Sequence, residues 1–233
     1  MKIKKLLRKI QRNLNDLFGD KGDELYWKYN PSITRLMHVE LNPKSSYLDF
    51  GPELHPRRNI FIKKMTHHHL FESFLEIGCA NGINLKIINE NTCNARLEGV
   101  DINKRALKEG VKHFKSVNAT NIKLRYKPAK KLNLYDSQEF DVVFSSRTLT
   151  YISPDNIDKV LENMIRISSK SVFLCEYHTD GDSFYNDKWI HNYESILKNF
   201  SSIQSVSFHP IADNIDDEYW AKYGKIIEIK KYE

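Results

Sequence analysis

The run most able to cradle a polar ligand is Glu76-Ile77-Gly78-Cys79-Ala80-Asn81-Gly82. An apolar segment, Phe74-Leu75-Glu76-Ile77, leads into it, and a helical pattern over Ile83–Glu90 leaves it. Small residues at 78, 80 and 82 let the backbone approach a bound molecule closely. A second acid, Asp101, closes the run Leu97-Glu98-Gly99-Val100 and stands 23 positions after Gly78. In a parallel sheet, neighbouring strands deliver their C-terminal ends to one crevice. A carboxylate placed there can accept two hydrogen bonds from a ribose diol, and such charge-assisted bonds are the stronger kind. Ile102 beside it offers an apolar surface to a flat base. A dinucleotide loop would instead read G-x-G-x-x-G, but position 80 is Ala and position 83 is Ile.

Other chemistry-bearing side chains gather near the ends of later segments. Ser145, Ser146 and Arg147 follow a very apolar stretch, Tyr151 comes shortly after, and His178 follows another apolar run. Arg57 and Arg58 precede the first strand. His67-His68-His69 suggests a metal site, but adjacent helical residues point about 100° apart and cannot all face one ion. No metal is therefore expected.

The elements that must position these residues alternate in type. Strands are expected at Phe74–Ile77, Arg96–Asp101, Ile122–Tyr126, Phe140–Ser145 and Ser171–Tyr177. Helices are expected over Ile83–Glu90, from Asn103 to about Lys115, and from Pro154 to about Ile167 with Ser153 as N-cap. One more helix is expected after residue 187. Strands Ile203–Phe208 and Lys225–Lys230, joined by an irregular loop, are expected to form an antiparallel hairpin at one sheet edge. This order implies βαβ units, hence a mostly parallel sheet covered on both faces. Three parts are expected: a basic amphipathic helix over 1–18, a helical and looped cap over 19–72, and the α/β domain over 73–233.

The chain of 233 residues is long enough for one such core. Six bases between Lys2 and Arg12 account for the whole net charge of +6, so the rest of the protein is neutral. A neutral body argues against nucleic acid as partner, because that affinity rests on many phosphate contacts. The same six bases oppose an apolar stripe, which suits either reversible contact with an anionic membrane or docking on the domain. Three cysteines without metal spacing point to reduced thiols and a cytoplasmic setting. No apolar run approaches the ~20 residues of a membrane span.

Residues 70–180 resemble the class I S-adenosylmethionine-dependent methyltransferases. Their glycine motif has the form E/D-x-G-x-G-x-G, with Ala80 here replacing the middle glycine. Their G-D-A-like element after strand three reads Lys127-Pro128-Ala129, so only Ala129, through its backbone, carries over. Their segment F-D-x-V-x-x-x-x-V-L-x-H-I is matched by Phe140–Ile152, with Arg147 at a usually small position and Tyr151 at the histidine position. The resemblance implies a Rossmann-like seven-stranded fold binding S-adenosyl-L-methionine. Its cofactor residues would be Glu76, Gly78, Ala80, Gly82, Asp101, Ile102, Ala129 and Ser145. His178 would act as base, Tyr151 would orient the acceptor, and Arg147 would face an anionic acceptor.

The N-P-P-Y or D-P-P-Y motif usual in enzymes of this fold that methylate adenine or glutamine nitrogen is absent. Ser145 and Ser146 stand where metal-dependent relatives need acids, so a metal-independent reaction is implied. Leu161–Tyr177 resembles methylases of bacterial surface-sugar biosynthesis, which implies O-methylation of a small molecule or glycan, such as a sugar or nucleotide-sugar. A non-catalytic cofactor-binding regulator or scaffold is the alternative, and RNA methylation a more distant one.

Overall fold

The computed structural model describes residues 27–28, 56–68, 70–92, 94–181, 183–185, 188–211 and 218–232. The expected helix over 1–18 and most of the expected cap lie outside them, as do Cys93 and His69.

Runs bounded by turns form five parallel strands, apolar except at the sheet edge. These are β1 (Ser73–Ile77), β2 (Arg96–Asp101), β3 (Ile122–Tyr126), β4 (Phe140–Ser146) and β5 (Ser168–Tyr177). They pair in parallel in the order β3-β2-β1-β4-β5. Two antiparallel strands complete a seven-stranded sheet: β9 (Gly224–Lys231) joins β5, and β8 (Ile203–Pro210) lies outside it. The expected terminal pairing is therefore present, with the later strand on the inside. A short hairpin of β6 (Ser183–Tyr185) and β7 (Lys188–Ile190) forms a separate ribbon, which the sequence pattern did not announce.

Helices cover both faces. On one lie α1 (Pro56–His68), α2 (Ile83–Glu90) and α3 (Lys104–Ser116), contributing Phe61, Met65, Leu85, Ile88 and Phe114 to a core that includes Phe74, Phe144 and Phe173. The rings of Phe61 and Phe144 lie 5.1 Å apart, so α1 contributes to this core layer. On the other face α4 (Pro154–Ile167) buries Ile157, Val160, Leu161, Met164 and Ile165 against Leu75, Val143 and Leu174. Burial of each such side chain contributes about 1.5–3 kcal/mol. Pro154 occupies the first turn of α4 with Asp155 beside it, where a carboxylate complements the exposed amides. Asn103 caps α3 by accepting from the Ala106 amide at 3.0 Å. Two shorter helices follow, α5 (Tyr193–Leu197) and α6 (Glu218–Tyr223).

The strand order reverses direction between β1 and β4. Connections leave these two strands toward opposite faces, which opens a crevice at their C-terminal ends. Gly78–Gly82 and Arg147–Tyr151 both begin there. No described helix is long and apolar enough to cross a membrane.

Candidate active site

The turn after β1 is shaped by left-handed backbone. Gly78 has φ +77 and Gly82 φ +84, and between them Ala80 holds φ +50 although it carries a Cβ. A Cβ on Gly78 would lie 1.9 Å from Thr148 Oγ1, so glycine is needed there both for φ and for space. The amides of Gly78 and Cys79 donate to the Val100 carbonyl at 2.8 and 3.1 Å, tying the loop to the end of β2.

Asp101 organises the same turn from the other side. Its Oδ2 accepts from the Ala80 amide at 2.8 Å and its Oδ1 from the Asn103 amide at 2.7 Å. Burial pushes its carboxyl above the usual range, and the amides of Asn103 and Ala80 pull it back. A carboxylate offers about four acceptor positions, more than these amides use. The structure thus brings Asp101 together with Gly78, Ala80 and Gly82. Ile102 is partly exposed next to it. Ala129 starts a 3-10 turn (Ala129–Leu134) after β3, and the Lys127 amide just before it donates to the Asp101 carbonyl at 3.1 Å.

Glu76 is buried near the end of β1. Its Oε1 accepts from Asn84 Nδ2 on α2, and Asn84 Oδ1 accepts from Arg58 on α1. Its Oε2 is buried with no hydrogen-bond partner among the described residues. Burial raises its carboxyl to about 8, opposed by Asn84 and by the charge of Arg58. An orphaned buried carboxylate oxygen calls for a donor or a cation from a ligand.

The residues after β4 form the second wall. Arg147 has φ +54, and its guanidinium lies 5.9 Å from the Tyr177 ring and 5.7 Å from Trp220. A 3-10 turn (Leu149–Tyr151) follows, and Tyr151 packs edge-on against Trp27 at 4.7 Å. Ser145 is fully buried beside Ile77, and its hydroxyl donates to Glu176 at 2.9 Å. Its side chain is thus engaged within the protein.

His178 is not brought to the glycine loop. Past Tyr177 the chain forms an isolated parallel bridge between His178 and His191. The His178 amide donates to Tyr223, and its ring lies 4.8 Å from Phe208 of β8. The loop lies on the opposite, β1 side of β5. Burial lowers the pKa of His178, with Asp180 opposing.

Three residues at this site escaped the sequence reading. Asn84 is a polar residue on the buried face of α2. Glu176 is a fully buried acid inside the apolar run of β5, where an acid near a strand end was the available signal. His191 is fully buried and bonds the Leu149 and Ile152 carbonyls at 3.2 and 3.0 Å through Nε2. Cys79 and Cys175 are buried free thiols, and no metal-binding cluster occurs among the described residues.

Residues 74–170 match a family model described as a methyltransferase domain. Among solved structures, a magnesium protoporphyrin IX methyltransferase from Synechocystis PCC 6803 with bound SAM matches with TM-score 0.64 and 12% identity, covering 90% of this chain and 97% of that one. The N-methyltransferase NodS from Bradyrhizobium japonicum WM9, in complex with S-adenosyl-L-homocysteine, matches with TM-score 0.61 and 15% identity, covering 85% and 98%. The [4+2]-cyclase SpnF matches with TM-score 0.63 and 14% identity, covering 90% and 96%. No curated protein matches in sequence. At these identities the structures establish the fold, the seven-stranded α/β fold of the methyltransferases. The segment matched by the methyltransferase domain model carries both the glycine turn and the strand-end acid, and S-adenosylmethionine is the cofactor that these findings support.

The residues present suit that cofactor. Left-handed backbone opens the loop to close approach, Asp101 keeps acceptor positions for a diol, and the orphaned Glu76 Oε2 suits a cationic ammonium.

Proposed function

We propose that this protein methylates a hydroxyl oxygen of a small acceptor bearing an anionic group, a sugar or nucleotide-sugar, without a metal ion. When bound, S-adenosylmethionine supplies an electrophilic methyl group. The chain's own task is to hold the acceptor oxygen in line with that group, the largest source of rate in such a displacement.

Arg147 is the observation that carries this reading. It stands at the β4 end beside the glycine turn, with Tyr177 and Trp220 near its guanidinium. A cation next to a sulfonium is unfavourable, so the guanidinium serves an anion on the acceptor, which it can grip with two parallel bonds. The aromatic rings around it suit the flat or apolar face of a ring-shaped acceptor. Tyr151, on the adjoining turn, is proposed to orient that acceptor. The contacts of His178 speak against the base role expected from sequence, because its ring packs toward β8. Positioning by Arg147 and Tyr151 is proposed to carry the step instead.

The test is transfer from labelled S-adenosylmethionine into extracts of the source cell, followed by mass analysis. An acidic, sugar-containing product gaining one methyl group supports the reading. Label confined to RNA or protein refutes it. Arg147→Ala should raise the acceptor KM at least tenfold and leave cofactor affinity within twofold.

A further inference from the structure

The wall of the crevice on the acceptor side is a loop whose polar backbone is bound by two side chains from outside it. Glu176 Oε1 accepts three hydrogen bonds: from Ser145 Oγ at 2.9 Å, the Thr148 amide at 2.9 Å and the Leu149 amide at 3.1 Å. His191 binds carbonyls at the other end of the same turn. Thr150 Oγ1 adds a bond to the Trp189 carbonyl at 2.9 Å. Donors at the start of the turn and acceptors at its end are thus satisfied by a carboxylate and an imidazole. The turn carries Arg147 and Tyr151, and Thr148 fills the space beside Gly78.

We infer that Glu176 is a positioning residue, which sets the acceptor-side loop Arg147–Tyr151 in its working shape without touching the cofactor. The inference deepens the acceptor reading given above. A buried carboxylate is a costly way to hold a loop, since uncharged groups would satisfy the same amides. What it adds is strength, because bonds to an ionised acceptor are roughly twice as strong as neutral ones. It also adds a dependence on ionisation. Burial raises Glu176 to about 7, while the amides of Thr148 and Leu149, the Ser145 hydroxyl and the charge of Arg147 oppose the rise. The charged or titratable groups around it are Arg147 after β4, Lys225 opposite it in β9, and His178 and His191 beyond the strand end. When Glu176 is ionised the loop is held firmly, and protonation loosens it.

All three tryptophans of the chain touch this region: Trp27 packs on Tyr151, Trp220 lies by Arg147, and the Trp189 carbonyl holds Thr150. Intrinsic emission therefore reports the loop without any ligand. In wild type, emission should change with a midpoint near pH 7, and Glu176→Gln, which cannot titrate, should remove that transition. Hydrogen exchange of the peptide covering 147–152 at pH 8 should speed at least fivefold in Glu176→Gln, while the Ala80 amide, bonded to Asp101, keeps its protection. Ser145→Ala, which removes one of the groups that oppose the rise, should keep the emission transition and move its midpoint upward. In the extract assay Glu176→Gln should lower the maximal rate at least tenfold with the KM for S-adenosylmethionine within twofold. An emission transition common to wild type and Glu176→Gln, or unchanged exchange over 147–152, overturns the inference. If no extract acceptor is methylated, the function proposed above fails, and the emission and exchange readouts still decide the role of Glu176.

Discussion

Removing the Asp101 carboxylate should weaken cofactor binding by two separable routes. In the protein, Oδ2 and Oδ1 accept from the Ala80 and Asn103 amides at 2.8 and 2.7 Å, and the Ile102 amide also faces the carboxylate. The acceptor capacity left over is what a ribose diol can use. Asp101→Ala deletes both ligand bonds, and it also unties the Ala80 amide, whose residue sits at φ +50. Hydrogen bonds to a charged group contribute about 1.5–3 kcal/mol each, so two place the loss at about 3 kcal/mol or more. That corresponds to roughly 150-fold weaker binding. Calorimetry with S-adenosyl-L-homocysteine at fixed pH measures it directly. Repeating the titration with a ligand lacking the ribose hydroxyls separates the routes. The wild type should lose most of its affinity for that ligand, and Asp101→Ala should discriminate little between the two. If Asp101→Ala binds S-adenosyl-L-homocysteine within threefold of wild type, the diol is not held there and this account of the crevice is wrong.

Other outcomes follow from the same geometry. Gly78→Ala forces a Cβ to within 1.9 Å of Thr148 Oγ1 at φ +77, and should abolish cofactor binding while costing about 2–4 kcal/mol of stability, read by urea unfolding. Glu76 and Glu176 are raised by burial to about 8 and about 7, so the folded protein keeps protons that the unfolded chain loses near 4.5. Their stabilising contribution is full below 4.5 and declines as pH rises through those folded values. Unfolding free energy without ligand should therefore fall between pH 5 and pH 8.5, and Glu76→Gln should remove up to about 4 kcal/mol of that fall. An undiminished fall in Glu76→Gln would count against the burial argument. Residues 1–18 are proposed to bind anionic vesicles at low salt, and their deletion should abolish co-sedimentation. Full-length protein that stays in solution with such vesicles would leave docking on the domain as the role of this segment.

The sequence made the central strands and the cofactor turn readable for a physical reason. Strands buried on both faces must be apolar runs, and the turns that end them must hold small or acidic residues, so β2 begins and ends where the pattern places it. The Ser153-Pro154-Asp155 start of α4 is legible because helix entry has strict stereochemistry. The β6–β7 ribbon, α6 and the 3-10 turn at Ala129 are too short for any periodicity to develop, and tertiary contacts decide them. Glu176 was hidden for a different reason. Its partners are backbone amides of a loop 27–28 residues away, and amides leave no mark on a sequence. The surroundings of His178 were not legible either, because a residue just past a strand end can turn either way, and here its ring packs on Phe208 of β8.

The placement of β9 has a consequence for how the sheet is assembled. β9 is last in sequence among the seven strands, yet it lies between β5 and β8. As the chain emerges during synthesis, β8 appears before the strand it will pair with. Until residues 224–231 are available, the outer edge of β5, an almost wholly buried strand in the finished protein, has no neighbour. An open apolar edge of this kind invites pairing with other chains. Closure of the sheet is thus a late, long-range event, and a chain stalled before Gly224 should be prone to aggregate even though every residue of the cofactor turn has already been made.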